Sequence, residues 1–137
     1  MNESLNGKYQ ILMIDDEEIN LMCAYMCFDQ TYYNLIKANS GETGINYLLN
    51  NKVDLIILDL MMPGIGGLEV LEFIRSNNKY RDVPVILQTA SQDIEEINKA
   101  ITIGAMYLPK PYDGRILLEM VKDAMADIHE KSKSKKI

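Results

Sequence analysis

The sequence predicts an α/β domain, a mostly parallel five-stranded sheet with helices on both faces. Three observations carry this. Five short apolar runs alternate with longer segments of helical period, the order of a fold built from β-then-α units. One run, Leu55-Ile56-Ile57-Leu58, is apolar at every position, as suits a strand covered on both faces. Four runs stop at polar groups: Asp15-Asp16, Asp59, Thr89 and Lys110. On neighbouring parallel strands these four ends share one sheet edge, where ligands of open α/β folds bind.

The elements follow in order. The first strand runs from about Tyr9 to Ile14. Ile19, Met22, Cys23, Met26 and Cys27 then recur at helical spacing and predict the inward face of the first helix. A second strand over about Tyr32 to Lys37 is followed by Ser40, a helix cap, and by a helix with Ile45, Leu48 and Leu49 inside. After the third strand, Met61-Met62-Pro63-Gly64-Ile65-Gly66-Gly67 forms a loop by its Pro and Gly content. The third helix buries Val70, Leu71 and Ile74. The fourth strand covers about Val85 to Gln88; Ile94, Ile97 and Ile101 share a face of the next helix, which Gly104 stops. Met106 to Leu108 is the fifth strand, and Pro109, lacking an N–H, places it at an edge or ends it. The last helix turns Leu117, Met120, Val121, Ala124 and Ile128 to one side.

The 137 residues suit one domain with one core, and the 47% hydrophobic content suits a globular chain. We divide it into an extension over residues 1–7, a folded domain over 8–130 and a basic tail or linker over 131–137. Four of the 14 basic residues lie in that tail. Ten therefore face twenty acidic residues in the body, which repels nucleic acid and anionic membrane. No apolar stretch reaches the ~20 residues that span a bilayer, and no basic segment precedes an apolar run as in a signal peptide. Cys23 and Cys27, four apart on an apolar helix face, read as core in a reducing cytoplasm, as the nine methionines read mainly as core filler. His129, the sole histidine, reads as exposed.

Three carboxylates, a hydroxyl and an ammonium at one edge suit a divalent cation and a phosphoryl group. Singly each signal is weak: an acidic run favours any helix start, a threonine bonds locally, and a lysine is ordinarily a surface residue. In order, and each at a strand end, they resemble the response-regulator receiver domain. The matching stretches are Ile14-Asp15-Asp16-Glu17-Glu18, Leu58-Asp59-Leu60-Met61-Met62-Pro63 with Gly67, Thr89-Ala90, and Tyr107-Leu108-Pro109-Lys110-Pro111, within a likeness from about Lys8 to His129.

The resemblance implies a flavodoxin-like three-layer sandwich of strand order 2-1-3-4-5. It implies Asp59 as phosphoacceptor, and a Mg2+ site (Mn2+ can substitute) of Asp15, Asp16, Asp59 and the Met61 carbonyl. Thr89 and Lys110 would bind the phosphoryl group, Thr89 and Tyr107 would form the switch, and Lys110-Pro111 would be cis. It implies a histidine kinase or histidine phosphotransfer domain as donor. The output would be another domain or a second copy, reached through the fourth helix, fifth strand and fifth helix. The chain would then be a signalling phosphoacceptor, cytoplasmic, standing alone or forming part of a hybrid kinase or larger regulator. It departs from the usual pattern in a short loop between Gly104-Ala105 and Tyr107, in Pro109, and in Gly66 where an acid or amide is common.

Two other classes compete. A haloacid-dehalogenase-type phosphatase uses Mg2+ with Asp, Thr or Ser, and Lys, but its nucleophile lies in an Asp-x-Asp after the first strand, where this chain has Asp15-Asp16-Glu17. A flavin-binding module wants a phosphate loop there, and four acids would repel it.

Overall fold

The computed structural model describes residues 8–134, with side chains described through residue 127. The elements alternate: β1 (Tyr9–Ile14), α1 (Glu18–Cys27), β2 (Tyr33–Ala38), α2 (Gly41–Asn50), β3 (Leu55–Asp59), α3 (Gly67–Ser76), β4 (Val85–Thr89), α4 (Ile94–Thr102), β5 (Met106–Pro109) and α5 (Gly114–Ser134). All pairings are parallel and the order is β2-β1-β3-β4-β5, so the fold is the flavodoxin-like sandwich.

Strand alternation divides the interior into two cores. Leu12, Ile14, Ile56, Leu58, Val85 and Leu87 face α2, α3 and α4, and meet Leu48, Val70, Leu71, Ile74, Ile97 and Ala100. Ile11, Met13, Leu55, Ile57 and Ile86 face α1 and α5, and meet Leu21, Ala24, Leu117, Val121 and Met125. Each fully buried aliphatic side chain contributes about 1.5–3 kcal/mol. The three inner strands carry most of them, which makes their C-terminal edge a rigid mount. Pro109 ends β5 at the sheet edge, and Lys110-Pro111 is cis.

Several helix faces differ from the sequence expectation. On α1, Ile19, Met22 and Met26 are 63%, 50% and 82% exposed, and Cys23 is exposed too. The helix buries Leu21 and Ala24 instead, followed by Phe28. Nearly every face of this helix is apolar, so spacing could not choose between two stripes. Anchoring chose: the backbone N–H of Glu17 donates to Asp15 Oδ1 (2.9 Å) and starts the helix at a set phase. Cys27 is half-buried, against Gly114 of α5.

On α2, Ser40 caps as expected, accepting from the Thr43 N–H at 3.1 Å. Leu49, however, is exposed; Leu48 is buried and Ile45 partly so against the core, together with Gly41 and Gly44, and the helix lies so close to β1 that a Cβ at Gly44 would sit 2.4 Å from Ile14 Cδ1. On α4, Ile97 and Ala100 are buried while Ile94 and Ile101 are exposed, so the helix turns the Ile97–Ala100 stripe inward. Of the methionines among the described residues, Met13 and Met125 are buried and Met22, Met26 and Met61 exposed. Helix α5 continues to Ser134, so part of the expected tail is helical. Residues 1–7 and 135–137, and the side chains of Ile128 and His129, lie outside the described residues.

Candidate functional site

Two adjacent carboxylates are organised by one lysine. Asp15, just past β1, is fully buried, and Asp59, the last residue of β3, is 4% exposed. Lys110, just past β5, donates through Nζ to Asp15 Oδ2 at 3.0 Å and to Asp59 Oδ2 at 3.2 Å. Its own N–H donates to the Thr89 carbonyl (2.9 Å), and the cis bond follows directly. Asp59 Oδ1 accepts the Met61 N–H at 3.2 Å.

Asp16 is exposed beside this pair. One carboxylate oxygen from each of Asp15, Asp16 and Glu17 lies within 4.8 Å of the others. An all-oxygen, anionic donor set is the kind that hard divalent cations take, and it fits Mg2+. Glu17 was not among the expected site residues, although it stands in the same acidic run.

Burial pushes the Asp59 carboxyl above its ordinary value; the Lys110 charge and the Met61 N–H pull it back only in part. Burial lowers Lys110, but its bond to Asp15 and the Asp59 and Asp15 charges outweigh that and hold the ammonium above its usual range. The lysine is therefore charged throughout the physiological range, and the site lacks positive charge relative to its acids.

Thr89 is buried at the end of β4, and its Oγ1 accepts the Ser91 N–H at 2.9 Å. This local bond uses the hydroxyl only as acceptor, so its proton remains available to a new partner. Tyr107 is half-buried, packs against the α2/α3/α4-side core, and pairs in register with Leu87, two residues before Thr89. Gly67 opens α3 directly against the end of β3, where a Cβ would lie 2.2 Å from the Asp59 carbonyl oxygen.

Two further side chains reach the site. Gln88, in register with Asp59, is fully buried and donates through Nε2 to Asp15 Oδ2 at 3.2 Å. The signal that could have found it is a lone amide in an apolar run, one place before Thr89. Tyr112, half-buried two residues after Lys110, has its hydroxyl pushed up to about 12, first by burial and then by the nearby Cys27 and Asp15.

Comparison with known proteins decides the family. The family model of the response regulator receiver domain matches residues 11–122. The chain belongs to the response-regulator receiver family. This receiver is 34% identical over 108 residues to the transcriptional regulatory protein AfsQ1 of Streptomyces coelicolor, an alignment covering 78% of this chain and 47% of that one. It is 29% identical over 114 residues to the CAI-1 autoinducer sensor kinase/phosphatase CqsS of Vibrio cholerae, covering 82% of this chain and 17% of that one. The receiver thus spans less than half the length of these two curated relatives. Among solved structures, it superposes on the signal receiver domain of an HD domain-containing protein from Pseudomonas fluorescens with a TM-score of 0.82, at 29% identity over 90% of this chain and 98% of that one. A CheY-like receiver from Methanospirillum hungatei, 23% identical, shares the fold with a TM-score of 0.84, over 90% of this chain and 98% of that one. The family match decides for the receiver over the phosphatase and flavin-binding alternatives. Among the described residues, no helix is long and apolar enough to cross a membrane.

Proposed function

We propose that this receiver takes a phosphoryl group from a phosphohistidine of a histidine kinase or histidine phosphotransfer domain onto Asp59. The observation that carries the reading is the shared grip of Lys110 on Asp15 and Asp59 at the sheet edge. An Asp59 carboxylate oxygen attacks phosphorus, the phosphorus–nitrogen bond breaks with its electron pair going to nitrogen, and the imidazole, already protonated on its other ring nitrogen, leaves neutral. The product is an aspartyl phosphate. Nucleophile and phosphoryl group are both anionic, so positive charge must be on hand. Lys110 supplies one such charge by turning from Asp15 toward the phosphoryl oxygens. Mg2+ or Mn2+, held by Asp15, Asp16, Asp59 and the Met61 carbonyl, supplies the rest of the compensating charge when bound.

The output runs through Thr89 and Tyr107. Phosphoryl oxygens on Asp59 are new acceptors for the free Thr89 proton. As that hydroxyl moves toward the site it vacates space on the same sheet face, and the half-buried Tyr107 ring turns into it. The change is a shift between populated states. It presents the α4–β5–α5 face to an output domain or to a second copy.

Incubation with a small phosphodonor and Mg2+ is expected to add one phosphoryl mass at Asp59. Asp59→Asn is expected to abolish it, and excess chelator to stop it. Labelling on His129 or a serine, or undiminished labelling in chelator, would overturn the reading. For the switch, beryllofluoride is expected to move the Tyr107 ring resonances in wild type. Thr89→Ala should leave them unmoved while Asp59 still labels. A Tyr107 ring indifferent to beryllofluoride in wild type would show that the output takes another route.

A further inference from the structure

We infer that Gln88 is a positioning residue for the acidic cluster, holding Asp15 in place when Lys110 lets go. The inference rests on the Mg2+-dependent phosphoacceptor reading above and deepens it.

Gln88 is costly where it stands. It has no exposed surface, and its Oε1 has no hydrogen-bond partner among the described residues. A buried polar group left unpaired keeps the cost of having lost its water. Packing does not ask for an amide, since its register neighbour on β5 is Leu108 and Ile86 precedes it on the same strand face. The one return is the bond to Asp15.

That bond has an unusual reach. Asp15 follows β1 and Gln88 lies on β4, with β3 between them. The amide crosses the strand that carries Asp59 to reach the same Asp15 oxygen that Lys110 grips. With the Glu17 N–H on the other oxygen, three donors from three segments orient this carboxylate. Orienting partners of this kind set the affinity of a ligating site.

The chemical type fits the role. A second lysine or arginine there would neutralise the cluster and compete with a divalent cation. An amide orients by its dipole and leaves the net charge untouched. When Lys110 turns to a phosphoryl group, Asp15 loses the one cationic side chain that it pairs with among the described residues, while the Gln88 N–H stays. Asp15 is then neither unpaired nor free to rotate.

The test combines calorimetry and NMR on the full chain, with Mg2+ as the probe. Gln88→Met, close in volume and without a donor, is expected to weaken Mg2+ binding about tenfold or more. Its urea unfolding midpoint without Mg2+ should match or exceed wild type, since the unpaired carbonyl is gone. In wild type the Gln88 side-chain amide protons should give a resonance displaced by the carboxylate, and Asp15→Ala should return it to the ordinary position. A purely packing role predicts the reverse: a lower midpoint and an amide resonance indifferent to Asp15. Mg2+ affinity within twofold of wild type in a folded Gln88→Met overturns the inference and leaves the phosphoacceptor reading intact. Wild-type protein that binds no Mg2+ overturns both. Gln88→Leu guards against misfolding of the first variant, and loss of fold in both assigns Gln88 to the core and rejects the inference.

Discussion

Lys110→Ala is expected to destabilise this receiver and to make its stability depend on Mg2+ more strongly than that of wild type. The side chains of Asp15 and Asp59 are 0% and 5% exposed, and Lys110 is the cation both share. Removing one partner from a buried pair costs about 3–5 kcal/mol, because the charge left behind is uncompensated. Here the lower end applies, since the site opens on the sheet edge beside exposed Asp16. The cost should depend on pH. Asp59 already has a folded value raised by burial, so its contribution to stability is full below its unfolded value and is lost as pH rises through the folded one. Without Lys110 that value climbs further, so the destabilisation is largest at neutral pH and shrinks as the medium becomes acid enough to protonate the pair. Lys110 in wild type has the same sign: raised by its partners, it contributes below its unfolded value and ceases to as pH rises through the folded one. Mg2+ bound to the folded variant restores stability by mass action, about 2.7 kcal/mol at a hundredfold excess over Kd. Urea unfolding at neutral and mildly acid pH, with and without Mg2+, reads all three effects. A loss under about 1 kcal/mol that ignores both pH and Mg2+ would show that Lys110 is merely a surface cation.

Gly67→Ala should destabilise by about 3 kcal/mol or more and cut Asp59 labelling at least tenfold. A Cβ at this position would meet the Asp59 carbonyl oxygen at 2.2 Å and the Leu60 Cα at 2.6 Å. Both are backbone atoms, so no rotamer relieves the contact. Overpacking typically costs ~1–3 kcal/mol, and more where the surroundings cannot give. The end of β3 is held by β1 and β4 and is among the least yielding places in the sheet. Relief requires moving α3 or the Asp59 peptide, and displacements near 1 Å cost reactions of the order of a hundredfold. The adjacent Gly66 is the internal control. Its nearest neighbour to a Cβ is 4.0 Å away and its φ is −76°, so Gly66→Ala should fold and label as wild type. Equal behaviour of the two variants, by thermal unfolding and by labelling, would contradict the close approach.

The neighbouring glycines show the divide between what sequence determines and what packing decides. Spacing placed a loop over Gly64, Gly66 and Gly67, but only the meeting of α3 with β3 leaves Gly67 no room for a side chain. The strands were legible throughout. A parallel strand covered on both faces must be apolar along its length, and the polar residue that ends it is visible without neighbours. That placed Asp15, Asp59, Thr89 and Lys110 on one edge, and the motif order pointed to the family.

The helix phases were less legible. In α1, Ile19, Met22 and Met26 make as good a stripe as Leu21, Ala24 and Phe28. Amphipathic spacing informs only when the opposite face is polar, and here it is not. The bond from the Glu17 N–H to Asp15 and the close packing of Cys27 on Gly114 settled the rotation. Gln88 marks the further limit. Its type and burial could be read from the strand, but its partner lies 73 residues away and across an intervening strand. Local chemistry determines which residues end each strand and what they can bind. Which of them touch is decided by strand order and by the reach of side chains across a sheet whose spacing is set by backbone hydrogen bonds, and neither is written in any one segment.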